Sequence, residues 1–332
     1  MTQLDNACDV SVVIVSLNTR SVLRECLDSV RRETGSLRVQ IIVVDNGSTD
    51  GSPEMIAEEY PEVLLVRSEC NLGFAGANNL GFRSAQGRYV VLLNSDAFLS
   101  PGALELSVRH MDENLNAGLG GGQLVGRDGS WQPSARKFPS LLDDLIVRSG
   151  LAARFPRSRF FGRFDRTWAS PLEPAEVDWV PGAYSIVRSE ALNAVGRFDT
   201  RFFLYCEEVD LCKRLKEVGY SIWYWPDIRI THIGGESSRQ MRSLDMSSVG
   251  SQLTLWRMRS TLLYYRKHGG AVVAALEMLL EILWSFQRFL RLRLSANPNR
   301  RAGASTEKKL IALMRQAWRD TKGGTLSPVQ PW

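Results

Sequence analysis

Four short apolar runs, each followed by polar residues, constrain the fold more than any other feature of this chain. They are Val10–Ser16 (VSVVIVS), Val39–Val44 (VQIIVV), Val63–Arg67 and Tyr89–Leu93 (YVVLL). Stretches of helical period lie between them. Arg20–Arg32 carries Leu23, Leu27 and Val30 at helical spacing. Ser52 is expected to cap a helix with Pro53 at its first position, Ala75–Ala85 reads as a short helix, and Ser100-Pro101 starts another. Apolar runs without alternation mean strands covered on both faces. Strands that alternate with helices mean a mostly parallel sheet flanked by helices, an α/β fold. In such sheets ligands bind beyond the carboxyl ends of the strands. Ser16/Asn18, Asp45 and Asn94/Asp96 fall at those ends, so the topology gathers at one edge residues that are distant in sequence.

The middle of the chain is less regular. Gly118–Gly122, Pro133 and the basic-aromatic stretch Arg154–Trp168 read as loops that cover a site. Order returns at Val177–Val180, and Glu207–Val218 reads as a helix. Tyr220–Trp225 and Ile228–Thr231 read as two strands, followed by His232. Residues 251–294 read as helical, Ser295–Ser305 as a polar linker and Glu307–Asp320 as a last amphipathic helix.

Composition narrows the class. With 332 residues, 44% apolar and 23% charged, the chain can bury a large core without metal or disulfide support. Its five cysteines (Cys8, Cys26, Cys70, Cys206 and Cys212) are odd in number and form no CxxC pair, which argues for a reducing compartment. The polar stretch Met1 to Asp9 does not read as a signal peptide. Charge is unevenly spread: residues 241–332 carry 15 basic and 5 acidic side chains, a net of +10, whereas the remainder carries −5. A basic third on an acidic body points to a polyanionic partner, a membrane surface or nucleic acid, with a solvated helical tail as the plain alternative.

Each chemistry-bearing element has a bland reading beside the functional one. Asp45 can accept the imide N–H of uracil or thymine, or merely cap the turn Asn46-Gly47-Ser48. Asn71-Leu72-Gly73-Phe74-Ala75-Gly76-Ala77-Asn78-Asn79 opens a helix whose glycines permit close approach of a phosphate, or is an ordinary Gly-rich turn. Asn94-Ser95-Asp96 can place a carboxylate on Mg²⁺ or Mn²⁺, or is a simple turn. His232 can complete that metal site as a neutral imidazole, or be structural. In Phe202–Tyr220, Leu211, Leu215 and Val218 form a buried stripe. Glu207 and Glu208 suit a helix N-terminus, or one of them is a general base. Asp210 and Arg214 read as a surface ion pair.

Taken in order, Val-Ile-Val-Ser-Leu-Asn, Val-Val-Asp-Asn-Gly-Ser-Thr-Asp-Gly, Asn-Leu-Gly-Phe-Ala-Gly-Ala-Asn-Asn, Leu-Leu-Asn-Ser-Asp, Val-Pro-Gly-Ala and Leu-Tyr-Cys-Glu-Glu-Val-Asp-Leu-Cys-Lys-Arg-Leu resemble the family 2 glycosyltransferases, the bacterial rhamnosyltransferase-like branch above all. The resemblance covers about residues 10–240. It implies a GT-A fold, a Rossmann-like sheet with a C-terminal helical extension, a dTDP- or UDP-sugar donor, Mg²⁺ or Mn²⁺, and inversion at the anomeric carbon. Residues 1–125 would then be the nucleotide-sugar-binding half, 126–240 the acceptor-binding and catalytic half, and 241–332 the basic extension. Carried over residue by residue, Asp45 would read the base with Ser16 and Asn18 beside it, and Gly76 and Asn79 would line the donor pocket. Asn94, Ser95 and Asp96 would form the Asp-x-Asp element, with Asn94 replacing its first Asp. His232 would join Asp96 on the metal, and Pro181, Gly182 and Ala183 would lie between donor sugar and acceptor. Glu208 would be the base, with Glu207 its rival because Glu208 replaces the family's usual Asp.

The expected reaction is a single in-line displacement that moves a sugar, L-rhamnose in this branch, to a hydroxyl of a glycan or polyprenyl-linked glycan. The expected location is cytoplasmic, on the inner face of the bacterial plasma membrane. Two other classes compete: a non-catalytic nucleotide-sugar or polyanion binder, and a sugar-nucleotidyltransferase. In Ala271–Leu294, the residues Leu276, Leu279, Leu280, Leu283, Phe286, Phe289 and Leu290 make one apolar face with arginines trailing to Arg301. That pattern suits an interfacial helix on an anionic membrane, through residues 271–301, with packing on the catalytic domain or on a second subunit as the competing use. Glu277, Glu281, Gln287 and Arg288 are expected to preclude a membrane span, and no nucleic-acid partner is expected.

Overall fold

The computed structural model describes residues 8–234 and 252–328. These divide into two compact units, residues 8–199 with 208–234 and residues 200–207 with 252–328. The expected boundary at 240/241 lies outside the described residues.

The first unit is built on a ten-stranded sheet. Its strands are β1 (Val10–Ser16), β2 (Val39–Asp45), β3 (Leu64–Arg67), β4 (Tyr89–Asn94), β5 (Ala97–Leu99), β6 (Ala117–Val125), β7 (Trp131–Gln132), β8 (Ala175–Val177), β9 (Tyr184–Arg188) and β10 (Ser221–His232). The order is β3-β2-β1-β4-β9-β6-β10-β5, with β7 beside β6 and β8 beside β10. β1 pairs in parallel with β2 and β4, and β6 with β10. β9 runs antiparallel between β4 and β6. Helices α1 (Arg20–Arg32), α2 (Ser52–Glu59), α3 (Gly73–Phe82), α4 (Ala103–Glu113), α5 (Leu141–Arg148), α6 (Leu151–Arg154), α7 (Ser189–Val195) and α8 (Glu207–Glu217) complete the order up to residue 234. α1 buries Leu23, Cys26, Leu27 and Val30 against the sheet core, the stripe read from its spacing. The α2 cap is a correction. Gly51, at φ 80°, precedes the helix, and Ser52 is its first residue, with its amide 3.0 Å from Asp50 Oδ1.

Two strands depart from the sequence expectation. Gly118–Gly122 is not a loop but the middle of β6, buried along its whole length. Its glycines are there for space. A Cβ on Gly120 would sit 1.8 Å from Cζ3 of Trp225, and one on Gly121 2.8 Å from Cβ of Val180. β10 is one strand rather than two, with a register shift between Trp225 and Arg229. β9 was not foreseen at all, although Tyr184 to Val187 are buried.

The second unit holds α9 (Gln252–Arg293), broken at Gly270 by φ 81°, then α10 (Pro298–Ala302) and α11 (Ala304–Asp320). α10 falls inside the stretch expected to be a linker. Leu255, Met258, Leu262, Met278 and Ile282 of α9 pack on Leu310, Leu313, Met314, Ala317 and Trp318. Arg259 pairs with Asp320, and Arg288 lies 3.0 Å from Glu307. Of the expected apolar face, Leu276, Leu279, Leu283, Phe286 and Leu290 stand exposed. The charged interruptions do not preclude a span by composition. An 18-residue window of α9 reaches a mean hydropathy of 1.6, long and apolar enough to cross a membrane on those two criteria. However, α11 covers one side of the helix, where Glu277 is fully buried.

Candidate active site

The parallel register sets one row of residues at the sheet edge. Ser16 stands opposite Asp45, and Val15 opposite Asn94. Asp45 is 3% exposed. Its Oδ2 accepts from the Ser48 amide at 3.3 Å, but its Oδ1 is buried with no hydrogen-bond partner. A buried acceptor left unpaired costs about 1–3 kcal/mol, so it invites a donor such as a base N–H. Ser16 and Asn18 are beside it but already engaged. Ser16 Oγ lies 2.9 Å from Thr19 Oγ1. Asn18, at φ 52°, accepts from the Thr49 amide at 2.8 Å and donates its own backbone amide to Ser48 Oγ at 2.9 Å. Asn18 therefore holds the 46–50 turn in place, whereas the Ser16 hydroxyl is spent on Thr19.

The Asn71–Asn79 segment is tied to the same turn. Asn46 donates to Asn71 Oδ1 at 2.9 Å and accepts from the Leu72 amide at 2.8 Å. Gly76 lies in α3, as does Asn79, whose Nδ2 donates to the Phe198 carbonyl at 2.8 Å and whose Oδ1 accepts from the Phe198 amide at 3.0 Å. These two bonds clamp α3 to residue 198 and leave one N–H of the Asn79 amide for a further partner. Phe74 from this segment contacts the Pro181-Gly182-Ala183 loop, where a Cβ on Gly182 would meet its ring at 3.2 Å.

Asp96 and His232 converge. β10 pairs antiparallel with β5, setting His232 opposite Ala97, and the Ile233 amide donates to the Asp96 carbonyl at 3.0 Å. His232 Nε2 is 3.5 Å from Asp96 Oδ1. Gln132, which no sequence signal marked, fixes the imidazole. Its Nε2 donates to the His232 carbonyl at 2.8 Å, which turns its Oε1 toward His232 Nδ1 at 2.9 Å. That carbonyl oxygen can only accept, so Nδ1 carries a proton, and in the neutral imidazole the Nε2 lone pair faces Asp96. One carboxylate and one neutral imidazole fit a hard divalent cation that also carries diphosphate oxygens. Among the described residues no cluster of three His, Cys, Asp or Glu side chains stands ready for a metal, so the remaining ligands must come from elsewhere. Asn94 and Ser95 complete the turn. Asn94 donates its amide to the Ala183 carbonyl at 3.0 Å, and Ser95 is buried.

The two glutamates open α8 directly after Tyr205 and Cys206, both held at positive φ (73° and 69°), a conformation uncommon outside glycine. Glu207 is buried. Glu208 has a shielded Oε2 with no hydrogen-bond partner. Burial pushes its carboxyl above the ordinary glutamate range, against weaker opposing pulls from its own amide, from Arg136 and from the Gly182 amide. A carboxyl raised toward working pH beside the Pro181–Ala183 loop suits a general base. Asp210 and Arg214, expected at the surface, pair at 2.8 Å with Asp210 fully buried. Arg214 also donates to the carbonyls of Val195, Gly196 and Arg197. Cys212 is no nucleophile, since burial pushes its thiol up to about 12.

The chain has relatives among known proteins. Residues 11–170 match the family model Glycosyl transferase family 2. The chain is 33% identical over 211 residues to the N-acetylglucosaminyl-diphospho-decaprenol L-rhamnosyltransferase of Mycobacterium tuberculosis, across 58% of this chain and 66% of that relative. It thus spans about two thirds of that relative's length. It is 25% identical over 268 residues to the rhamnosyltransferase WbbL of Escherichia coli, covering 77% and 92% of the two chains. Among solved structures, a mannosyltransferase from Pyrobaculum calidifontis, in complex with GDP-Man and Mn²⁺, superposes with a TM-score of 0.53 at 17% identity, over 95% of this chain and 88% of that one. GalNAc-T7 with UDP, GalNAc and Mn²⁺ gives 0.56 at 14%, over 97% and 59%. Residues 11–170 form a glycosyl transferase family 2 domain, and the chain has the GT-A fold and is similar to bacterial rhamnosyltransferases.

Proposed function

We propose that this chain is an inverting, metal-dependent glycosyltransferase. It moves a sugar, L-rhamnose from dTDP-rhamnose by analogy with its relatives, to a hydroxyl of a polyprenyl-diphosphate-linked glycan in cell-surface polysaccharide synthesis. The observation that carries the reading is the convergence of Asp96 and His232 at the carboxyl edge of the sheet, with the Gln132-locked imidazole presenting its lone pair. The unpartnered Oδ1 of Asp45 on the same edge supports recognition of a pyrimidine N–H.

Glu208 holds the acceptor hydroxyl and takes its proton as that oxygen bonds to the anomeric carbon from the face opposite the nucleotide. The bond from carbon to the diphosphate oxygen breaks, and nucleoside diphosphate leaves. General-base assistance of this kind is worth roughly 10²–10⁴-fold. Asp96 and His232 would hold Mg²⁺ or Mn²⁺, which when bound neutralises charge on the departing diphosphate. The Pro181–Ala183 loop, seated on Phe74, orients donor and acceptor relative to Glu208.

The exposed face of α9 supports a location on the cytoplasmic membrane surface. Arg291, Arg293, Arg300 and Arg301 trail it without a carboxylate partner among the described residues, whereas Arg288 is tied to Glu307. The test of function is a panel of nucleotide sugars scored for binding and for metal-dependent release of nucleoside diphosphate. Release of pyrophosphate would mean nucleotidyl transfer, and binding with neither product would mean a non-catalytic binder.

A further inference from the structure

The basic-aromatic segment 154–168 is not used by the reaction above. It carries five arginines and one acid. Its inner charges are spoken for: Arg163 Nε lies 2.5 Å from Asp143 of α5, and Asp165 lies 3.1 Å from Arg136. Arg154, Arg157, Arg159 and Arg166 have no carboxylate partner among the described residues. Arg154 lies over the Phe155 ring, and Arg159 and Arg166 over Trp168. Phe161 joins Phe155 and Phe160 at centroid distances of 5.5 and 5.2 Å, yet Phe155 remains 45% and Phe160 51% exposed. α5, bound to the segment through Asp143, buries Ile146 and leaves Leu142 and Leu145 exposed.

We propose that this face of the first unit docks on an anionic bilayer. Phe155 and Phe160 would enter the boundary between headgroups and acyl chains, with the unpaired arginines on anionic headgroups. The pairing of exposed rings with uncompensated arginines is what an interfacial surface requires. Charge complementarity selects the partner. The chain outside residues 241–332 is net acidic, and this segment is a basic island on it. A symmetric dimer through this face would set the basic island against its own like charges. Leu142 and Leu145 offer an aliphatic surface with no use in stacking nucleic-acid bases.

The surface also lies on the acceptor side. The Lys137 amide donates to the Phe164 carbonyl at 2.9 Å, Arg136 bridges to Trp179, and Gly182, three residues on, donates its amide to Glu208. A bilayer held by residues 155–160 therefore delivers a lipid-carried hydroxyl to the side of the fold that holds the base. This last step rests on the glycosyltransferase reading; the docking itself does not.

The test is co-sedimentation of the full chain with phosphatidylcholine vesicles containing ~30% phosphatidylglycerol, against vesicles of phosphatidylcholine alone. To isolate this face, α9 is first disabled by Leu283→Ser, Phe286→Ser and Leu290→Ser. The expected result is residual, salt-sensitive binding to anionic vesicles only. Adding Phe155→Ser and Phe160→Ser should lower it about tenfold, as should Arg154→Gln, Arg157→Gln and Arg159→Gln. Melting temperature and donor hydrolysis should stay unchanged, because these side chains are exposed. Absence of residual binding, binding unaltered by both sets of substitutions, or equal loss of binding to a poly(U) oligonucleotide would overturn the proposal. Failure of the enzymatic reading would instead show as no nucleoside diphosphate release with vesicle binding intact.

Discussion

Gln132 grips His232 at two points, donating to its carbonyl at 2.8 Å and facing its Nδ1 at 2.9 Å. The glutamine thereby decides which imidazole nitrogen keeps its lone pair. Removing the grip with Gln132→Leu should leave the fold intact but free the ring to turn and change tautomer. We expect divalent-metal affinity, read by titration calorimetry in the presence of nucleoside diphosphate, to fall roughly 10–100-fold. Asp96→Ala and His232→Ala should abolish both metal binding and transfer. Full metal affinity in Gln132→Leu would show that the contact is only structural, and full activity in either of the other two would remove that residue from the site.

Glu208 predicts a split between activity and stability. Glu208→Gln keeps size and removes basicity, so donor binding should survive while turnover drops 10²-fold or more. Burial raises the folded carboxyl above its unfolded value, so the folded state binds more protons and stability falls as pH rises above the ordinary glutamate range. The Gln variant removes that cost, so its melting temperature at pH 7 should exceed that of the wild type, with the difference vanishing at low pH. For the wild type, the acid limb of kcat against pH should lie above the ordinary glutamate value. The same loss of turnover in Glu207→Gln with none in Glu208→Gln would reassign the base.

Asp45 should govern nucleotide choice. Asp45→Asn keeps the shape but can place an amide donor where the buried Oδ1 acceptor stood. Equilibrium binding of UDP and dTDP should weaken about tenfold or more, since a donor left facing a donor forfeits a buried hydrogen bond. Unchanged affinity for both would confine Asp45 to its bond with the Ser48 amide.

The sequence exposed some parts of this molecule and hid others for identifiable reasons. β1, β2 and β4 were legible because they are sandwiched between helices and carry apolar residues on both faces, and Asp45 and Asp96 because they follow such runs. β9 and β6 were not. Tyr184–Arg188 holds only three apolar residues, Tyr184, Ile186 and Val187, and does not stand out, and the glycines of β6 imitate a loop until Trp225 and Val180 are seen filling the space they vacate. Gln132 could not be found from spacing, because its place beside His232 arises only when β7 and β10 flank β6. Asn79 shows the converse: its motif is plain, but its clamp on the Phe198 backbone, 119 residues away, is visible only in the fold.

The strand that was hidden yields the sharpest test of the fold. A Cβ on Gly120 would lie 1.8 Å from Cζ3 and 2.5 Å from Cε3 of Trp225, a ring that is 3% exposed and stacked on His110 with centroids 4.9 Å apart. The ring cannot retreat easily, because Trp223 lies parallel on its line, 6.4 Å away. Gly120→Ala should therefore destabilise the first unit by about 1–3 kcal/mol or more, the cost of overpacking a closed core, read as a lower midpoint in urea with an unchanged slope. If the clash is the cause, shrinking the obstacle must relieve it. Trp225→Leu will itself cost stability through lost packing, but in its presence the added methyl of Gly120→Ala should cost little. The double-mutant cycle should then show a favourable coupling of about 1 kcal/mol or more. Strictly additive effects would mean that the glycine serves backbone freedom rather than the tryptophan ring.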